Sequence, residues 1–512
     1  MTANDDSPTS AERAGTRAWI GLALLALPTI LLGLDLTLLH LALPALAMDL
    51  RPTSAQALWI VDVYGFMVAG FLITMGTLGD RIGRRKLLML GAAAFGVASV
   101  MAACSTSAPT LIAARALLGV AGATLMPSTL ALISNMFARP HQRAQAIGIW
   151  ATMFALGMAA GPVVGGLLLE QYWWGAAFLV ALPVVALLLV AAPFLLPEYR
   201  APHQARLDLP SVALSLLALL PIIYGIKRIA KDGVDAGAGL AVLGGLACML
   251  LFIDRQRRLS SPLMDLELFS SRAFSVALAV LFVGLIAVGG TMLLVTQYLQ
   301  LVVGLSPFEA GLWMGPPALA MLAAGVIAPR FARRVSPGHV ISGALALSAM
   351  GYLMLSLLSP RSEELAWVTV SFSLVYLGLG TIAALGTDIV VGAASAEKAG
   401  SAAALSETVQ ELGLAMGIAA LGSLTTGIYR TRMADQLTRP LAQDIVRAAS
   451  DSLAGAKSVA HQLPAGVLEE AQAAFVTGFN VAAAANAISI ALLAGLAATS
   501  LRHVDAARKP VQ

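Results

Sequence analysis

The sequence predicts an all-α membrane protein with fourteen transmembrane helices, and three observations carry that expectation. Hydrophobic residues make up 58% of the chain and charged residues only 12%, about half the charged share of an ordinary soluble domain. Apolar runs long enough to cross a ~30 Å hydrocarbon layer recur along the whole chain. Lys and Arg gather in alternate connecting loops, as they do on the cytoplasmic face of a membrane protein.

The runs fall near 18–43, 57–78, 87–106, 109–132, 144–169, 176–196, 209–226, 237–253, 273–297, 309–328, 338–358, 366–388, 400–426 and 476–500. The first is too long for the apolar region of a signal peptide and is interrupted by Asp35, so it is expected to remain as a span. Spans two and three flank the basic stretch GTLGDRIGRRK (76–86), span four contains Arg115, and span five carries a glycine stripe. Span six ends at the polar PEYRAPHQARLD (197–208). Spans seven and eight are short, and the charged DRQRRLSSPLMDLELFSSR (254–272) separates them from the last six. The order is therefore six, two and six: an N-terminal tail 1–17, a first bundle 18–196, a linker 197–272 with two extra helices, a second bundle 273–500 and a tail 501–512. Residues 427–475 form a long loop, expected to be partly helical because TRPLAQDIVRAASDSLAGAKSV has a helical apolar period.

With both termini inside, the inner loops and tails collect 21 of the 32 basic residues. Lys227, Arg228 and Lys231, between spans seven and eight, run against the pattern. Both termini are thus expected to be cytoplasmic and the 427–475 loop outside. The formal charge of +4 is explained by inner loops facing anionic lipid and implies no nucleic-acid partner. Cys104 and Cys248 are too far apart in sequence to suggest a ligand pair. Neither a disulfide framework nor a metal site nor an enzyme's nucleophile or phosphate loop is expected. GLGTIAALG (378–386) reads as helix packing.

Four stretches then carry a family resemblance. GTLGDRIGRRK, between spans two and three, resembles the signature loop of the major facilitator superfamily. In it Gly76, Gly79 and Gly83 permit close helix approach and a tight turn, and Asp80 can accept from a backbone N–H or pair with Arg81, Arg84 or Arg85. LDLTLLHLALP (34–44) and WIVDVYGF (59–66) resemble the fourteen-helix drug:proton antiporters, the QacA/SmvA/LfrA type. GMAAGPVVGG (157–166), with Gly157, Gly161, Pro162, Gly165 and Gly166, resembles the motif that marks antiporters in the superfamily; the same residues also let two helices touch. His40 stands where the family pattern usually has Asn. The resemblance implies a major facilitator fold of two six-helix bundles plus two inserted linker helices. It also links Arg115 to proton transfer; a purely structural ion pair is the alternative for that residue.

Glu407 and Glu411 lie one helical turn apart in span thirteen, where like charges repel. With Asp35 and Asp62 they form a set of intramembrane carboxylates drawn from both bundles, and such groups are functional by default. An apolar surrounding and a like-charged neighbour disfavour two ionised carboxylates, so one of the Glu pair is expected to hold a proton that a bound cation displaces. Asp388, near the inner end of span twelve, is a further cavity candidate, and Glu309 is placed at the outer interface. Trp59, Tyr64, Trp150, Phe154 and Tyr298 are candidate cation–π faces and apolar wall. Trp19, Trp173 and Trp174 read as interfacial anchors.

The expected function is a proton-coupled antiporter that exports lipophilic cations such as quaternary ammonium compounds, cationic dyes and cationic drugs by alternating access. Its energy comes from the proton gradient with no cofactor, and it is expected to act as a monomer, giving drug resistance. The alternatives are a proton-coupled carrier of one metabolite, or a non-transporting receptor or scaffold.

Overall fold

In the computed structural model, the described residues are 14–137, 139–200, 208–232, 235–259, 262, 266–359, 365–393, 399–436 and 442–501. Most of both tails, part of the 197–208 segment and Lys398 lie outside them. Among the described residues, fourteen helices are long and apolar enough to cross a membrane. They are α1 (Thr16–Leu50), α2 (Ser54–Ile82), α3 (Arg84–Ala103), α4 (Ala108–Met136), α5 (Pro140–Gln171), α6 (Ala176–Leu195) and α7 (Leu209–Asp232). The rest are α8 (Ala236–Arg258), α9 (Arg272–Val302), α10 (Pro307–Phe331), α11 (Pro337–Leu355), α12 (Leu365–Gly392), α13 (Ala399–Gln436) and α14 (Val467–Ser500).

Many of these helices outrun the apolar stretches in the sequence, because hydropathy marks the hydrocarbon crossing while a helix continues into polar residues. The largest difference is after α13: IYRTRMADQ is helical, and α14 begins at Val467, so the expected 427–475 loop shrinks to 437–466. Within it Gln443–Asp451 and Leu453–Ser458 are helical, in line with the apolar period of that stretch.

Helix starts follow local chemistry. Thr53 with Gln56, Ser107 with Thr110, and Ser306 with Glu309 form reciprocal capping boxes at the starts of α2, α4 and α10. Each satisfies backbone N–H groups that have no intrahelical partner, an effect of about 1 kcal/mol. Pro140, Pro307 and Pro337 occupy first helical positions, where the missing N–H costs nothing.

Two hydrophobic cores result. One is drawn from residues between Leu22 and Leu196, with Leu293 and Ile418 reaching in from the other half. The second runs from Leu268 to Leu501 and takes in Leu41. The helices thus form two six-helix bundles, α1–α6 and α9–α14, with α7 and α8 paired as an inserted hairpin. A small separate cluster, Phe66, Ile223, Ala415 and Ala419, seats α7 against α2 and α13.

The bundles meet closely at the end that carries the 437–466 loop. Gly311 of α10 packs on the Pro162 carbonyl of α5, and Gly166 packs on Pro307 and Phe308; a methyl group at either glycine would overlap backbone. The Gln300 side chain, on a π-helical turn (Tyr298–Val302) ending α9, donates to the Leu41 carbonyl of α1 at 3.2 Å. The glycine stripe of α5 does a different job: Gly157 lies on the Ile30 carbonyl, while Gly161 and Gly165 lie on Thr37 and Leu38, all on α1 of the same bundle.

Candidate functional site: a charged cleft between the bundles

Arg115 organises the site. It is 2% exposed, two turns into α4. An unpaired charge at that depth costs about 2.5–3.5 kcal/mol on insertion scales, and the fold answers with three acceptors. Nη1 pairs with Asp35 Oδ2 of α1 at 2.9 Å. Nε donates to the Ile60 carbonyl at 3.2 Å and Nη2 to the Val61 carbonyl at 3.4 Å, both on α2. The guanidinium also stacks 4.6 Å from the centre of the Tyr64 ring and 5.9 Å from that of Phe178. One planar cation therefore ties α1, α2 and α4 together, which a lysine's single point charge does less well.

Beside it runs a narrow cleft of about 20 Å³ lined by His40, Asp62, Tyr64, Gly65, Arg115 and Glu411 among others, room for about one water molecule. Asp62 is 1% exposed and Glu411 7%. Glu411 comes from the second bundle, on α13, and Gly65 lets that helix approach α2: a methyl there would press on Ala415. Glu411 Oε2 and His40 Nδ1 are buried with no hydrogen-bond partner among the described residues. Glu411 lies within Coulombic reach of both Asp35 and Glu407. The cleft thus collects carboxylates from both bundles around a single guanidinium whose charge Asp35 already meets.

Not every residue singled out in the sequence gathers here. Glu407 is half-buried, one turn from Glu411, and does not line the cleft. Asp388 is exposed and stands apart from it. Of the aromatics, only Tyr64 lines the cleft. Trp150 is buried and donates through Nε1 to the Thr129 hydroxyl at 3.0 Å. Tyr298 is fully buried, donates to the Ser359 carbonyl at 3.0 Å and stacks edge-on against Phe479. Trp59 packs against Phe66 and the α7 cluster, and Phe154 against the first bundle's core. These four build walls between helices, because a large ring in a packed bundle finds more contact area there than at a cleft. Trp174 is likewise no anchor: it is buried and donates to Asp49 at 2.7 Å, whereas Trp173 is exposed.

The stretch 76–86, expected as a loop, is helical on both sides of Gly83 because α2 and α3 run on into its polar residues; in it Asp80 selects Arg84 from its three possible partners, at 2.6 Å. Gly83 has a φ of +113°, which favours glycine. Gly76 is not under the same pressure, since a methyl there would make only ordinary contact with Pro127. Arg85 donates to the Leu196 carbonyl at 2.9 Å, and its backbone N–H donates to Glu198 at 3.0 Å, fastening the segment after α6. Arg81 is exposed. Sequence reasoning missed Glu198, Gln300 and Asp49, whose partners lie far away along the chain.

Comparison with known proteins fits this architecture. Residues 25–418 match the Major Facilitator Superfamily model. The chain is 42% identical over 498 residues to the "Multidrug efflux pump LfrA" of Mycolicibacterium smegmatis, covering 96% of this chain and 98% of that protein. It is 35% identical to the "Methyl viologen resistance protein SmvA" of Salmonella typhimurium, covering 93% and 97%. Among solved structures, a bacterial homologue of the human lysosomal transporter Spinster matches with a TM-score of 0.63 at 15% identity, covering 97% of this chain and 99% of that one. A peptide transporter, POT, matches with a TM-score of 0.60 at 17% identity, covering 94% and 96%. The chain belongs to the Major Facilitator Superfamily, as a fourteen-helix member of its drug-efflux branch.

Proposed function

We propose that this drug-efflux protein is a proton-coupled antiporter for lipophilic organic cations, working by alternating access between its two bundles in a bacterial cytoplasmic membrane with both termini inside. The observation that carries the reading is Glu411: a buried carboxylate with one oxygen unpartnered, facing across the seam towards Asp35, Asp62 and the Arg115 pair. A carboxylate so placed holds either a proton or a cation, and the two compete. When the cleft widens, an apolar cation enters and the proton leaves; when the cation departs on the other face, a proton returns. Tyr64 offers a ring face beside these charges. The name of the methyl viologen resistance relative points to cations of the same kind.

The test is flux in proteoliposomes under an imposed pH gradient, with methyl viologen, a quaternary ammonium dye and a neutral drug of similar size. Gradient-driven movement of both cations supports the reading. Movement of the neutral drug alone, or of none of the three, contradicts it and favours a dedicated carrier of another solute or a non-transporting protein.

A further inference from the structure

A second cavity lies on the same seam as the charged cleft, towards the end that carries the 437–466 loop. It is a chamber of about 70 Å³ whose walls come from both bundles: Leu43 and Leu58 on one side, Leu293, Thr425 and Phe475 on the other. The helices α2 and α13 that supply Asp62 and Glu411 to the cleft supply Leu58 and Thr425 to the chamber. Thr425 is 3% exposed, and its hydroxyl has no hydrogen-bond partner among the described residues. Asp451, Ser452, Leu453 and Ala454 of the loop complete the lining.

That roof is fastened to both bundles. The Asp451 carboxylate accepts from the backbone N–H of Ser54, the first residue of α2, at 2.5 Å, and the Ser54 hydroxyl donates to the Asp451 carbonyl at 3.0 Å. The same carboxylate forms an ion pair with Arg430 of α13. Tyr429 donates to the Ala449 carbonyl at 2.7 Å, and Lys457 donates to the Gln300 carbonyl at 3.1 Å. Asp451 is therefore a clasp between α2 of the first bundle and α13 of the second. Separation of the bundles at this end must break it. A drug-sized ligand needs a site of ~300–1,000 Å³, so nothing of that size passes while the roof is down.

We propose that the chamber is the exit vestibule of the export path and that residues 443–458 are its lid, latched through Asp451. The proposal rests on the reading of the protein as an exporter, but its labelling arm uses neither substrate nor gradient. Thr425→Cys is placed in a Cys104→Ser, Cys248→Ser background, and its labelling by a membrane-impermeant maleimide is timed from whichever face labels the exposed control Gln443→Cys. Asp451→Asn weakens the clasp. Ser54→Pro removes its N–H donor at a helix position that suits proline. Each is expected to speed labelling about tenfold, the effect of losing one charge-assisted hydrogen bond. An oxidised Ser54→Cys, Asp451→Cys pair, made without the Thr425→Cys probe, is expected to stop flux, which reductant restores. Unchanged labelling in the two latch variants, or full flux through the cross-linked protein, overturns the lid. Lid behaviour without gradient-driven cation flux would instead sink the antiport reading and leave the lid standing.

Discussion

Arg115 and Asp35 meet at 2.9 Å inside the first bundle, and this pair sets the electrostatics of the cleft that Glu411 enters from the second. The Arg115 charge is met by Asp35 and two backbone carbonyls, whereas Glu411 keeps one oxygen with no hydrogen-bond partner among the described residues.

Removing the guanidinium leaves Asp35, a partly buried carboxylate, without its ion-pair partner. Arg115→Ala is expected to cost about 3–5 kcal/mol of stability and to abolish transport. Arg115→Lys keeps the charge but loses the fork that reaches Ile60 and Val61. It is expected to fold, with flux reduced by at least about tenfold if one charged hydrogen bond is lost. Thermal unfolding and flux measured on the same preparations check both.

Competition between proton and cation gives a signed pH dependence. Cation affinity is expected to rise with pH as the competing proton leaves, and Glu411→Gln is expected to flatten that curve. Glu407→Gln, one turn outside the cleft, is expected to change it less. Equilibrium binding of a quaternary ammonium dye across pH decides the order; a larger effect at Glu407 would move the proton site there.

The two sets of close-packed glycines separate stability from motion. Gly157→Val drives a side chain into the Ile30 carbonyl within one bundle and is expected to cost about 1–3 kcal/mol through overpacking, read as a lower Tm. Gly311→Ala meets the Pro162 carbonyl across the seam. It is expected to impair transport with little change in Tm, because each bundle keeps its own core.

The inserted hairpin is anchored at its ends by Asp208, which accepts from Arg255 at 2.8 and 2.6 Å and also from the Ser211 hydroxyl. The Arg255 contact holds this carboxyl below its ordinary value. Its contribution to stability is therefore present above the unfolded carboxylate range, about pH 4, and lost as pH falls through the lower folded value. Asp208→Asn is expected to lower Tm at neutral pH and to converge with the native protein in acid. A constant difference across pH would contradict the assignment.

The fourteen crossings were legible in the sequence because insertion in lipid depends on local hydropathy, which a single segment carries by itself. The Arg115 and Asp35 contact was half-legible: each is costly alone in a membrane, so each had to have a partner, though nothing in the chain names which. The aromatic wall was misread for the opposite reason. Trp150 and Tyr298 are as compatible with a core as with a cavity, and helices that are apolar all round carry no periodic sign of which face packs. Asp451 was invisible as a latch, since its partners Ser54 and Arg430 meet only after both bundles have folded.

The central claim is that a cation and a proton exclude each other at Glu411, and proton release measures it most directly. A quaternary ammonium compound is added to purified protein in weakly buffered solution, and the pH change is recorded alongside binding. Proton release that saturates with cation binding in the native protein, and is lost in Glu411→Gln, is the predicted result. Cation binding with no proton release, or equal release from the variant, would contradict it.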